Sequence, residues 1–155
     1  MSNEPFYKSI KEIRDVYQNK DASVTEISNS FLERIKNLNP KINAYLEVFD
    51  KESISDAKKT DDYIKNGNKD ILTGIIVGLK DLVDVKGKIT SAGSKILEKS
   101  IAKSNSKITD DFYKQKSIII GKTNLVEFAF GTLGINSNTP TCRNPWDLER
   151  VPGGS

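Results

Sequence analysis

The chain of 155 residues carries 24 basic and 21 acidic side chains, with 29% charged and 36% hydrophobic residues, the balance of a globular chain rather than a disordered or fibrous one. One cysteine and no histidine exclude an internal disulfide and an imidazole base, so hydrolytic chemistry would have to come from serine, lysine or carboxylates. No apolar run approaches the roughly 18 residues of a spanning helix, no basic-then-apolar leader opens the chain, and lysines are scattered among acids rather than clustered. Membrane, secretory and nucleic-acid-binding classes therefore lose support, and the cytosol is the default location.

Phe6, Ile10, Ile13 and Tyr17 recur at helical spacing. Ser23-Val-Thr-Glu26 has the form of a capping box, in which the serine oxygen accepts from an early backbone amide and the glutamate reaches back. From it Val24, Ile27, Phe31, Ile35 and Leu38 form one apolar stripe, expected to end before Pro40. Asn43 to Phe49, rich in aromatic and branched residues, predicts a strand. Lys51 to Lys65 reads as a polar helix closed by Asn66-Gly67.

Ile71 to Leu79 is a continuous apolar run, as expected of a strand buried on both faces. Ile108, Phe112 and Tyr113 mark a last helix and Ser117 to Ile120 a last strand. Helices alternating with apolar strands predict an α/β layer in which Gly74 to Lys80 and Ser117 to Gly121 belong to one sheet. There is no internal repeat, linker or low-complexity tract.

Lys80 stands at the end of the most apolar strand, where desolvation favours a neutral amine able to take a proton from a serine; the plain alternative is a lysine reaching to water beside Asp81. Ser155 follows Gly153-Gly154, where flexible backbone permits a sharp turn and close approach to a ligand. Gly121-Lys-Thr123 ends like a phosphate-binding loop, but that motif needs a glycine at position 116, which is lysine. A nucleotide site is rejected, and Lys122 receives no role. Cys142 has no imidazole to form its thiolate and is read as a bystander.

Gly78-Leu-Lys-Asp-Leu-Val-Asp-Val-Lys-Gly87, Gly121-Lys-Thr-Asn-Leu-Val-Glu-Phe-Ala-Phe-Gly131, Arg143-Asn-Pro-Trp-Asp147 and the closing Gly153-Gly-Ser155 together resemble the amidase signature family. The resemblance runs from about Asp21 to the last residue. It implies an α/β fold, a mixed sheet flanked by helices with an N-terminal helix pair. It also implies that residues 1–155 are the N-terminal portion of a single amidase domain whose nucleophilic serine lies further along. The implied reaction is hydrolysis of a small-molecule amide by a Ser–cis-Ser–Lys triad without metal or organic cofactor. Lys80 would be the base and Ser155 the relay, while Gly131 and Thr132, with Gly134, would belong to a loop lining the acyl pocket.

By the same resemblance, Thr123 to about Phe130 would form a short helix, and the Arg143–Asp147 stretch would buttress the serine loop with Trp146 packed. Family members usually have proline where this chain has Ile76, a departure that leaves Lys80 untouched. One branch, the A-subunit of the glutamyl-tRNA amidotransferase, releases ammonia from glutamine and works with partner subunits and tRNA. It typically reads Met-Asp-Glu-Phe-Ala-Met where this chain has Leu125 to Phe130, and the following Gly-Thr-Leu-Gly-Ile-Asn136 looks more like general amidases. A general amidase is therefore the preferred reading. With nothing after Ser155 to enforce a cis peptide, the Gly154–Ser155 bond is expected to be trans or disordered and this chain inactive. The rival from another class is a non-catalytic remnant or binding module, which would have a finished core and little exposed apolar surface.

Overall fold

The computed structural model describes residues 4–154. The chain orders itself as helix α1 (Ile10–Asn19), helix α2 (Val24–Ile42), strand β1 (Tyr45–Val48), helix α3 (Asp50–Lys65), strand β2 (Ile76–Lys80), helix α4 (Lys107–Lys114) and strand β3 (Ile118–Thr123). The strands form one three-stranded sheet in the order β1-β3-β2, so the two strands expected to share a sheet lie next to each other. By backbone contacts the chain divides into two compact units: Met1–Ile35, Phe49–Val77 and Asp111–Ile120 in the first, and Lys36–Val48, Gly78–Asp110 and Gly121–Ser155 in the second.

In the first unit both N-terminal helices open on capping boxes. Ser9 and Glu12 exchange hydrogen bonds at the start of α1, and Ser23 and Glu26 do so at the start of α2, as the sequence predicts. Asp61 of α3 adds a second cap to α2, accepting from the amides of Val24 at 2.7 Å and Thr25 at 3.1 Å. A carboxylate there satisfies amides that have no partner within the helix and faces the positive end of its dipole. The core beneath gathers Ile13, Tyr17, Val24, Ile27, Ala57, Ile75 and Ile118, drawn from α1, α2, α3, β3 and the residue that leads into β2.

Two boundaries depart from the sequence pattern. The apolar run from Ile71 is not one strand: residues 71–74 turn, Ile71 is 69% exposed, and β2 begins only at Ile76. The turn is closed by the Thr73 hydroxyl accepting from the Asp70 amide at 2.7 Å, and by Gly74 at φ +76°, packed so closely on Tyr17 and Val24 that a Cβ would sit 2.8 Å from each. Helix α2 likewise runs past Pro40 to Ile42. The ring removes one amide donor, but the last turn still closes through Asn43 donating to the Asn39 carbonyl at 2.8 Å.

In the second unit β1 runs antiparallel to β3, pairing Tyr45 with Thr123, Glu47 with Lys122 and Val48 with Gly121, with an irregularity between Tyr45 and Glu47. Glycine is required at 121, because any Cβ there would overlap the Glu47 carbonyl oxygen. This close pairing fixes the register of β3, and with it the position of Lys122.

Candidate active site

Lys80 is the last residue of β2 and is half-buried, while its neighbours Leu79 and Asp81 are 5% and 3% exposed. Successive side chains of a strand point to opposite faces, so Asp81 and Leu79 enter the interior and Lys80 leaves on the other side. The strand stops there because the Lys80 carbonyl accepts from the Val83 amide at 2.9 Å, turning the chain.

Asp81 is held at every polar group. Its amide donates to the Thr123 carbonyl at 3.1 Å, its carbonyl accepts from Ala92 at 2.8 Å, and its carboxylate accepts from both the amide and the hydroxyl of Ser91. The other carboxylate oxygen pairs with Lys122 Nζ at 3.0 Å. Lys122 is fully buried, and its ammonium also donates to the Ile89 carbonyl at 3.2 Å and the Thr90 hydroxyl at 3.3 Å, so each of its three protons has an acceptor. Sequence reasoning left Lys122 without a role. The signal was present, since a lysine directly following Ile118–Gly121 in a strand buried along its length requires a partner.

The Ser91–Ala92–Gly93 turn is gripped from three sides. Asp81 takes Ser91 and Ala92, the Ala92 carbonyl accepts from Phe128 at 2.8 Å, and the buried Asn136 amide donates to the carbonyls of Gly93 at 2.8 Å and Leu125 at 3.0 Å. These bonds hold Ala92 at φ +51°, a conformation unfavourable for a residue with a Cβ.

The segment expected to be a helix from Thr123 to Phe130 is not one. Only a single turn of 3-10 helix forms, Glu127–Ala129, with Phe128 and Ala129 at φ +51° and +57°. The bond from the Phe128 amide to Ala92 diverts the backbone from the helical path. Gly131 and Thr132 follow on the surface, both exposed. Further along the same loop, Gly134 lies against Pro152 and Gly153, and a Cβ on Gly154 would meet the Gly134 amide nitrogen at 2.9 Å. The glycine pair before Ser155 and the loop carrying Gly131 and Thr132 are thus brought side by side. Ser155 itself, and with it the Gly154–Ser155 peptide, lies outside the described residues.

Asn144 ties the Arg143–Asp147 stretch to the segment entering that glycine pair, bonding the Arg150 carbonyl through its amide at 3.3 Å and the Val151 carbonyl through its side chain at 3.4 Å. Trp146, expected to pack, is instead 95% exposed. Its turn is closed by polar groups alone, with the Trp146 amide donating to the Asn144 side chain and Arg150 pairing with Asp147, which leaves the indole outside. Burial pushes the Cys142 thiol up from its usual range, which suits a bystander. Among the described residues no group of three or more His, Cys, Asp or Glu could hold a metal ion, and no helix is long and apolar enough to cross a membrane.

A family model described as Amidase matches residues 26–155. The chain is 42% identical over 147 residues to the A-subunit of the glutamyl-tRNA(Gln) amidotransferase of Thermoanaerobacter pseudethanolicus, covering 95% of this chain and 30% of that protein. It is 39% identical over 148 residues to the protein of the same name from Coxiella burnetii, covering 96% and 31%. Its fold is similar to that of the native peptide amidase from Stenotrophomonas maltophilia, with a TM-score of 0.88 at 24% identity over 97% of this chain and 33% of that one. A bacterial aryl acylamidase of the amidase signature enzymes is similar too, with a TM-score of 0.86 at 26% identity over 96% and 31%. The chain spans about 30% of the length of the curated relatives it matches.

Proposed function

The chain belongs to the amidase family, and from that premise we propose that it supplies the lysine of a Ser-Ser-Lys site that cleaves amide C–N bonds. The observation that carries this reading is Lys80 at the terminus of β2, half-buried and followed by an Asp81 whose carboxylate faces Lys122 and Ser91. Lys80 accepts a proton from Ser155, which accepts one from a nucleophilic serine beyond residue 155. That serine attacks the amide carbon, the protons return through the same chain to the leaving nitrogen, and water then releases the acyl group as acid. Gly131 and Thr132 line the acyl side of the substrate. The exposure of Phe130 (92%), Leu133 (55%) and Ile135 (53%) supports a larger domain and weighs against a finished non-catalytic module.

Identity to the amidotransferase proteins named above favours glutamine as the amide, with partner subunits and tRNA and a cytosolic setting; the wording of Gly131 to Asn136 favours simpler carboxamides. Ammonia release by a longer protein that includes the downstream serine tests both. Lys80→Ala is expected to lower turnover by at least the roughly 10²- to 10⁴-fold typical of acid–base assistance, and Ser155→Ala to cost less than loss of the nucleophile. Unchanged activity of folded Lys80→Ala, or dependence on a metal, defeats the triad. Glutamine as the sole substrate together with a co-purifying partner protein marks the amidotransferase branch, and broad amide turnover by the lone chain marks a general amidase.

A further inference from the structure

The triad leaves unused a fully buried ammonium and its carboxylate. A buried ion pair is a poor device for stability, because desolvation of both ions offsets their attraction and a hydrophobic substitute often serves as well. What such a pair does provide is a single defined geometry. Here it is satisfied throughout: Lys122 Nζ meets Asp81 at 3.0 Å, the Ile89 carbonyl at 3.2 Å and the Thr90 hydroxyl at 3.3 Å. The same carboxylate orders Ser91, whose hydroxyl in turn accepts from the Gly93 amide at 3.1 Å.

We propose that Lys122 and Asp81 form a positioning pair for the amine of Lys80. Lys80 and Asp81 share a peptide whose N–H is bound to the Thr123 carbonyl, and the peptide that follows is bound through the Asp81 carbonyl to the Ala92 amide. Both of those partners adjoin what the ion pair itself fixes: Thr123 follows Lys122, and Ala92 follows Ser91. Rotating the Asp81 side chain out of the pair therefore loosens the backbone from which the Lys80 stem projects. It also releases the left-handed Ala92 turn. The pair touches no reacting atom in this scheme, and its action is through Lys80. The inference rests on Lys80 being the base, but its test reads the amine itself and not turnover.

The test is pH-dependent acetylation of Lys80 in the 155-residue chain, quantified by peptide mass spectrometry against the exposed Lys59 as internal reference. The main variant is Asp81→Asn/Lys122→Met, which removes both charges at once and leaves the local net charge as it was. With circular dichroism and amide protection of β3 retained, Lys80 reactivity relative to Lys59 is expected to change by about threefold or more, with a displaced pH profile. Thr90→Val, which removes one acceptor and keeps the pair, is expected to label as the parent does. An unchanged Lys80 profile in the folded double variant overturns the proposal. If the double variant does not fold, Asp81→Asn alone is read by the same two outcomes; collapse of both shows that the pair holds the fold rather than the amine, and overturns it as well. Failure of a longer chain to cleave amides bears on the triad and leaves this result standing.

Discussion

Removing the ammonium alone has a consequence for stability that the surroundings of Asp81 allow to be sized. In Lys122→Met the carboxylate stays 3% exposed, retains its two bonds from Ser91 and loses the cation that balances it in the interior. Breaking one side of a buried pair costs about 3–5 kcal/mol, a large share of the roughly 5–15 kcal/mol that holds a domain together. The double variant with Asp81→Asn is expected to recover most of that loss, because no charge remains buried and the amide oxygen can still accept from Ser91. The exposed pair Arg150–Asp147, with side chains 77% and 48% accessible, is the control; Arg150→Ala is expected to cost less than about 1 kcal/mol. Urea unfolding followed by far-ultraviolet circular dichroism measures all the variants against the parent, read as midpoint shifts at constant slope. A Lys122→Met cost below about 1 kcal/mol, or additive single and double variants, refutes the account of a desolvated, coupled pair.

Gly121→Ala is expected to destabilise by about 1–3 kcal/mol through overlap with the Glu47 carbonyl, and to speed exchange of the amides that pair β1 with β3; parental exchange rates would contradict the close approach. At the start of α2 the Ser23 amide first and its hydroxyl second hold the Glu26 carboxyl below its ordinary value of 4.5. The folded-state value is depressed, so the cap's contribution is complete above the ordinary value and is lost as pH falls through the lowered one. Ser23→Ala, keeping the amide and deleting the hydroxyl, is expected to move Glu26 part of the way back toward 4.5 in an NMR titration, and identical titrations in the two proteins would exclude the reciprocal cap.

Features written locally were legible in the sequence. Ser23 and Glu26 lie within one turn, and the strand at β1 and the helix α3 appear close to where pattern and turn residues place them. Lys80 at a strand end was readable for the same reason. What escaped depends on bonds between distant residues. The turn at 71–74 is fixed by Gly74 fitting under Tyr17 and Val24, which apolar periodicity does not register. The expected helix after Thr123 is undone by one bond from Phe128 to Ala92. Lys122 was set aside because its neighbours spell the wrong motif, although a cation in so apolar a strand implied a buried anion, and the nearest candidate was the aspartate following Lys80.

Trp146 is the single tryptophan of the chain, and its indole stands almost wholly in water at the tip of a turn. Its emission is therefore already that of a solvated indole in the native protein and has little further to shift when the fold is lost. A denaturation curve recorded at that wavelength would run nearly flat while circular dichroism reported a full transition, a mismatch owed to the placement of the probe and not to an intermediate. The same placement makes the indole a clean optical reporter of contact: whatever comes to lie over this turn, further chain or separate protein, would announce itself by a blue shift against an otherwise silent background.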